Sequence, residues 1–208
     1  MGEELIQRLE DFFQLSPSPS GLIKPPDPED QILRPASHIY GKPVRQAAVL
    51  IPIIASGPEP MIMLTRRTEH LRSHAGQISL PGGSRDPEDV DLIATALREA
   101  EEETRLPPDS VRIMGTLPAL LMPSAFHVTP VVGLVPPDTP VTPCPNEVAE
   151  IFYAPASLIL DPSQYKISSM EFQNRQRKFR ELQFRHYRIW GATAAILHHL
   201  AEQLHASH

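Results

Sequence analysis

The sequence predicts an α/β fold in which a mixed β-sheet lies between helices. Three observations point there: short apolar runs of strand length recur along the chain, segments with helical periodicity are interleaved with them, and no internal repeat breaks the alternation. The length, 208 residues, suits one compact domain with a sizeable core. The expected division is an N-terminal helix and proline-rich strap over 1–35, followed by a single domain over 36–208.

Leu5, Ile6, Leu9, Phe12 and Phe13 recur at helical spacing, which predicts an amphipathic helix over 3–15. The Ser- and Pro-rich stretch 16–35 reads as an extended strap over the surface. The apolar run 47–54 predicts a buried strand. Turn residues Ser56 to Pro60 then return the chain as a second strand over 61–67, making a hairpin. Residues 68–87 hold no long periodic element, and Pro81-Gly82-Gly83 reads as a tight turn. From Asp91 to Thr104 the apolar residues Leu92, Ile93, Ala96, Leu97 and Ala100 keep helical spacing until Pro107 and Pro108 stop the pattern. Further strands are expected at 110–117, 128–135, 147–153 and 179–189, a helical turn at 155–160, and a terminal helix over about 190–204 with Ile189, Ala192, Ala195, Ile196 and Leu200 on its apolar face.

Composition narrows the function. Hydrophobic residues make up 41% and charged residues 21%, ordinary globular usage. The 24 prolines are roughly twice the usual ~5% share and punctuate loops. A net charge of −6 argues against a general nucleic-acid or anionic-membrane surface, both of which need clustered Lys and Arg. A phosphorylated small substrate stays open, provided a metal, an arginine cluster or backbone amides receive it locally. The one cysteine, Cys144, excludes an intrachain disulfide and a cysteine-based zinc site; with no neighbouring His it does not read as a nucleophile. The N-terminus is acidic and helical in pattern, unlike a signal peptide, and no apolar run nears the ~20 residues of a membrane span. The expectation is a soluble, cytoplasmic protein.

The chemistry concentrates on the helix ending at Thr104. At about 100° per residue, Glu99, Glu102 and Glu103 fall on one side, opposite Ile93, Ala96, Leu97 and Ala100. Glu99 pairs with Glu103 at i,i+4 and with Glu102 at i,i+3, spacings at which like charges destabilise a helix unless something screens them. Carboxylate oxygens are the ligands that hard Mg²⁺ and Mn²⁺ prefer. Taken alone, such a row reads as a solvated acidic face with Arg98 pairing Glu102. The glycines Gly82 and Gly83 upstream change that reading, because a glycine loop beside the helix can add a backbone carbonyl to the carboxylates. His198 and His199 are adjacent on the terminal helix and do not share a face, so they do not read as a metal pair.

Gly83 through Leu106 resembles the Nudix box: a glycine, a spacer, an acidic residue, a second spacer, then Arg-Glu-apolar-x-Glu-Glu-x-Gly-apolar. The second half is Arg98-Glu99-Ala100-Glu101-Glu102-Glu103-Thr104-Arg105-Leu106. The loop is one residue longer than the box, with Gly83 and either Asp89 or Glu88 in the first two roles; Arg105 stands at the late glycine. Upstream, Leu64 to Gly83 is similar to the signature of the coenzyme A pyrophosphatase branch of that family, with Met63, Thr68 and Leu80 departing from it.

The resemblance implies a Nudix-type α/β/α sandwich and metal-dependent hydrolysis of a pyrophosphate linkage, in coenzyme A or acyl-CoA above all, giving 3′,5′-ADP and (acyl-)4′-phosphopantetheine. ADP-ribose, dinucleotides or nucleoside triphosphates are the alternative substrates, and a non-catalytic nucleotide-binding module is the alternative class. It also implies Mg²⁺ or Mn²⁺ held by Glu99, Glu103, Glu102 and the Gly83 carbonyl, with Glu102 either a ligand or the base. Arg98 is expected to orient the glutamates. Arg66, Arg67 and Arg72 are candidates for neutralising substrate phosphates; on a strand Arg66 and Arg67 point to opposite faces, so one of them at most meets the site. Glu147 and Glu150 stand where many family members bring a loop carboxylate to the metals. The partner is then a CoA-like nucleoside diphosphate derivative, with neither nucleic acid nor membrane; a homodimer is compatible with the sequence.

Overall fold

The computed structural model describes residues 2–15, 20–27, 38–39, 42–55, 57–71, 74–172 and 175–206. Helix α1 (Gly2–Leu15) is followed by the paired short strands β1 (His38–Ile39) and β2 (Lys42–Pro43). Next come β3 (Arg45–Ile54), β4 (Met61–Arg67), β5 (Ile78–Ser79), β6 (Gly82–Ser84) and helix α2 (Leu92–Thr104). Strands β7 (Arg112–Thr116), β8 (Leu120–Leu121), β9 (Phe126–Val135) and β10 (Val148–Pro155) lead into the single-turn helix α3 (Ala156–Ile159). The chain closes with β11 (Lys166–Phe172), β12 (Arg175–Phe184), β13 (Tyr187–Trp190) and helix α4 (Gly191–Ala206).

The main sheet runs β10-β4-β3-β9-β7, with β5 on β4, β6 on β3 and β8 on β9. Strands β3 and β9 are parallel from Arg45↔Phe126 to Ile54↔Val135, while the other pairings are antiparallel. The sheet is therefore mixed, as predicted. Burial on both faces explains the unbroken apolar run of β3, the pattern expected of a central parallel strand. On one face, α1, α4 and the three-stranded sheet β11-β12-β13 enclose Leu9, Phe13, Ile62, Leu64, Ile189 and Ile196. On the other, α2 lays Ala96 and Ala100 against Ala48, Leu50, Met63 and Val131. Small residues on α2 let the helix approach closely, and this approach positions its glutamates.

Several expectations change. The β3–β4 hairpin pairs at its base, Ile53↔Ile62 and Ile54↔Met61; further along, β6 takes the same edge of β3. Pro81-Gly82-Gly83 is accordingly a bend into an edge strand, not a tight turn: Gly82 and Gly83 pair with Val49 and Ala48. A Cβ on Gly82, at φ +154°, would strike the Ala48 carbonyl and Val49 Cα, so only glycine admits this close pairing. The single strand expected at 179–189 is two, β12 and β13, joined by the two-residue turn Arg185-His186 with Arg185 at φ +53°. That turn lacks the Asn-Gly or Asp-Gly signal by which hairpins are read. Strand β11 was not predicted; KISSMEF has no apolar run, and it is a strand because seven of its residues pair with β12.

The strap is anchored where it is described. Leu22 bridges Ala119, and the Asp27 carboxylate accepts from the Lys178 backbone N–H at 2.9 Å; residues 16–19 and 28–37 lie outside the described residues. Among the described residues no helix is long and apolar enough to cross a membrane.

Candidate active site

Helix α2 starts at Asp91, whose side chain accepts from Ala94 N–H at 2.7 Å, an N-cap of ordinary type. It ends at Arg105, held at φ +57° while its N–H bonds to the Glu101 carbonyl. This left-handed position is the one a glycine usually fills. The left-handed helix end is thus made here by a residue with a Cβ.

The three glutamates of α2 are not equivalent. Glu103 is 2% exposed, Glu99 17% and Glu102 58%. Glu103 turns under the helix toward β6 and β4: Gly82 N–H donates to its Oε2 at 3.3 Å, and Arg67 Nη1 lies 3.4 Å from its Oε1. Burial pushes the Glu103 carboxyl up to about 8; Arg67 and the Gly82 amide act against this, and the charges of Glu147 and Glu99 add to it. Glu99 lies against Gly83, where a Cβ would collide with its carboxylate. Burial also raises the Glu99 carboxyl, against the pull of Arg98 and with a further push from Glu102 and Glu147.

Arg98 ties the preceding loop to this row. Its Nε and Nη2 fork onto Asp89 Oδ1 and Oδ2, each at 3.0 Å, while Nη1 reaches Glu99 Oε1 at 3.1 Å and Glu102 Oε2 at 3.2 Å. Nη2 also donates to the Ser84 carbonyl at 3.0 Å. Asp89 is buried and accepts two further bonds, from Thr95 Oγ1 and Asp86 N–H, both 2.9 Å. The hydrogen bonds from Arg98 hold its carboxyl well below the usual carboxylate range. Of the two acids the sequence left open for this loop, Asp89 turns inward and Glu88 is exposed.

Other candidates separate by face. Arg67 points to Glu103. Arg66 points away, with Nε 3.1 Å from Glu150 Oε2, and Tyr187 Oη donates to the other oxygen of that carboxylate at 2.6 Å. Glu150 is thereby committed on the far side of the strand. Glu147 is exposed in the loop before β10, and its charge is felt by both Glu99 and Glu103. Arg72 lies outside the described residues. His198 is buried against the edge of the Tyr165 ring, with Nδ1 3.2 Å from Glu202, remote in the fold from α2. Cys144 contributes its backbone N–H to the Glu103 carbonyl at 2.8 Å. The Gly82 amide on Glu103 and the Thr95 hydroxyl on Asp89 were missed in the sequence. A lone hydroxyl on the apolar side of a helix was a signal for Thr95; nothing local signals an amide contact.

Among the described residues, no three acidic, histidine or cysteine side chains converge into a ready metal cage. Yet Glu99 and Glu103 are partly stripped of water, and the charge of Glu99 adds to the proton affinity of Glu103, which has a single arginine contact. Hard oxygen donors short of positive charge suit a divalent cation of the Mg²⁺ type.

Comparison with known proteins agrees. A family model described as the NUDIX domain matches residues 44–173. The Nudix hydrolase NudL of Yersinia pestis (strain Pestoides F), itself uncharacterized, is 44% identical over 179 residues, spanning 86% of this chain and 88% of the relative. NudL of Yersinia pseudotuberculosis serotype O:1b (strain IP 31758) matches with the same figures. Among solved structures, the Nudix hydrolase RenU of M. smegmatis is 21% identical and covers 54% of this chain and 71% of its own, with a TM-score of 0.47. A family model over more than half the chain, and relatives at this identity over nearly all of it, leave one assignment: the chain belongs to the Nudix hydrolases, enzymes that split pyrophosphate linkages.

Proposed function

We propose that the chain hydrolyses the diphosphate of coenzyme A or its thioesters, releasing 3′,5′-ADP and (acyl-)4′-phosphopantetheine. The observation that carries this reading is that both ends of the 63–83 signature meet at one carboxylate: Arg67 from β4 and Gly82 from β6 both contact Glu103. A stretch similar to the coenzyme A branch is thus built into the wall of the acidic site.

In this reading Glu99 and Glu103 hold Mg²⁺ or Mn²⁺, with the Gly83 carbonyl as a further oxygen and Glu102 either a third ligand or the base. When bound, the cation neutralises phosphate charge and favours departure of the leaving phosphate. Arg98 keeps Glu99 and Glu102 in fixed rotamers from its anchor on Asp89. Water attacks one phosphorus; its oxygen forms the new P–O bond, the bridging P–O bond breaks, and the proton leaves through a carboxylate at the open end of the row. Glu102, the most exposed of the three, would take it. Glu147 completes the proposed mouth of the site.

The test is a substrate panel with Mg²⁺ and with Mn²⁺: CoA, acyl-CoA thioesters, ADP-ribose, dinucleoside polyphosphates and nucleoside triphosphates, with products identified by mass. CoA or a thioester should give the highest kcat/KM and the two named products. A preparation that turns over another member of the panel and leaves CoA and its thioesters intact sinks the coenzyme A reading and selects the other substrate class.

A further inference from the structure

Two arginines flank the glutamate row, and they are held in opposite ways. Arg98 is committed: a symmetric fork onto Asp89 at 3.0 Å, plus bonds to Glu99, Glu102 and the Ser84 carbonyl, occupies its guanidinium. Arg67 reaches Glu103 through one nitrogen at 3.4 Å, at the long end of hydrogen bonding, and its buried Nε has no partner. A guanidinium that serves only to brace a carboxylate normally uses its fork, two parallel N–H bonds. This one does not. Its backbone is fixed, by the β4–β10 register Val148↔Arg67 and by the Arg67 N–H bond to the Gln77 carbonyl at 3.0 Å. The anchor is rigid and the side-chain contact loose.

We infer that Arg67 is the exchangeable counter-ion of Glu103: it covers that carboxylate while no divalent cation is bound and yields it when one arrives. The inference rests on the reading that Glu103 is a metal ligand. Glu103 is 2% exposed, so any charge on it needs a partner when no cation is bound, and Arg67 is the cation the structure sets against it. A divalent ion held by Glu103 would take over that role, leaving the Arg67 guanidinium free to turn toward the diphosphate. The unused Nε–H supplies the second prong of a fork for a phosphate oxygen. Arg67 is thus a positioning residue that exchanges one anion for another, coupling cation loading to substrate capture. Arg66, one residue earlier, cannot share this role, because its guanidinium is bound to Glu150 on the opposite face.

The consequence runs against intuition for a residue next to a metal site: removing Arg67 tightens the metal. The experiment is Mn²⁺ binding to the substrate-free protein, read by the EPR signal of free Mn²⁺, for the wild type, Arg67→Met and Arg67→Lys. Arg67→Met keeps most of the stem and removes the charge; its Kd for Mn²⁺ should fall about tenfold, in line with losing one competing unit charge near the ion. Its metal-free form should melt below the wild type and recover when Mn²⁺ is added. Arg67→Lys should stay within about threefold of the wild-type Kd, since the point charge remains. KM for the substrate should rise in both variants by more than kcat falls. In Glu103→Gln, adding Arg67→Met should produce no tightening. Should the Met variant not fold, Arg67→Gln carries the same expectation. A Kd unchanged or weakened in the folded, uncharged variant overturns the inference while leaving Glu103 as ligand; absence of Mn²⁺ binding by the wild type itself overturns both.

Discussion

At Glu103 burial and charge oppose each other. Burial pushes its carboxyl up to about 8 against the pull of Arg67, so around neutral pH a proton competes with the guanidinium for it. Proton and divalent ion compete for the same oxygens. Affinity for Mg²⁺ should therefore climb as pH rises toward about 8 and then level off, with proton release accompanying ion binding at pH 7. Calorimetry in two buffers of different ionisation enthalpy measures that release. Glu103→Gln should lower kcat at least about 100-fold while the metal-free melting temperature holds or rises, because a neutral amide removes a desolvated charge. Kinetics at saturating Mg²⁺ and a thermal melt check the two halves separately. Arg105 offers the reverse case. It is exposed and sits at φ +57°, where a Cβ is strained. Arg105→Gly should stabilise the fold by about 0.5–1 kcal/mol in urea titration, the strain relieved exceeding the chain entropy that glycine adds. The glutamate row was legible in the sequence because residue type and i,i+3/i+4 spacing are local. The ranking of the three acids by burial was not, since Glu103 is dry only because β4 and β6 arrive above it.

Helix α2 and the loop before it act as one element through Asp89 and Arg98. Asp89 is buried and depressed by its bonds to Arg98, so the pair contributes stability that is present above the ordinary carboxylate range, near pH 4, and is lost as pH falls below it. Thermal melts of the wild type should fall steeply below about pH 4, and Asp89→Asn should show a flatter acid limb from a lower starting point. Arg98→Ala leaves that carboxylate buried without its cation and should cost about 3–5 kcal/mol. It should also reduce activity, since Glu99 and Glu102 lose the guanidinium that sets their rotamers. The helix itself was readable from Leu92, Ala96 and Ala100, and its stop from Pro107. Strands β6 and β11 were not: glycines and hydroxyl residues carry no strand signal of their own, and these segments extend because β3 and β12 offer them hydrogen-bonding edges.

The molecule as a whole divides its core by the sheet. The face bearing α2 holds the acidic site, while the opposite face is closed by α1, α4 and the three-stranded sheet. Leu9, Phe12 and Phe13 of α1 lie in the same cluster as Ile196, Leu197 and Leu200 of α4, and Arg8 Nη2 bonds to the Leu204 carbonyl at 2.8 Å. The N-terminal helix, which lies outside the matched family region, is thus part of the core's cover. Removing residues 1–15 should lower the melting temperature by well over 5 °C and expose protease sites in α4, because three large side chains leave a shared apolar cluster. Residual turnover should persist in the fraction still folded, since α1 does not contact the glutamate row.

By itself the sequence determined most of the helices and apolar strands, the mixed α/β class and the row of glutamates on one helix, because periodicity and runs of carboxylates act over a turn or two of chain. Only the tertiary structure decided that Asp89 and not Glu88 anchors Arg98, that Arg67 and not Arg66 meets Glu103, and that one glutamate of three is dry. Those outcomes depend on which distant segment covers a side chain, and burial is a property of the packed chain, not of any stretch of it.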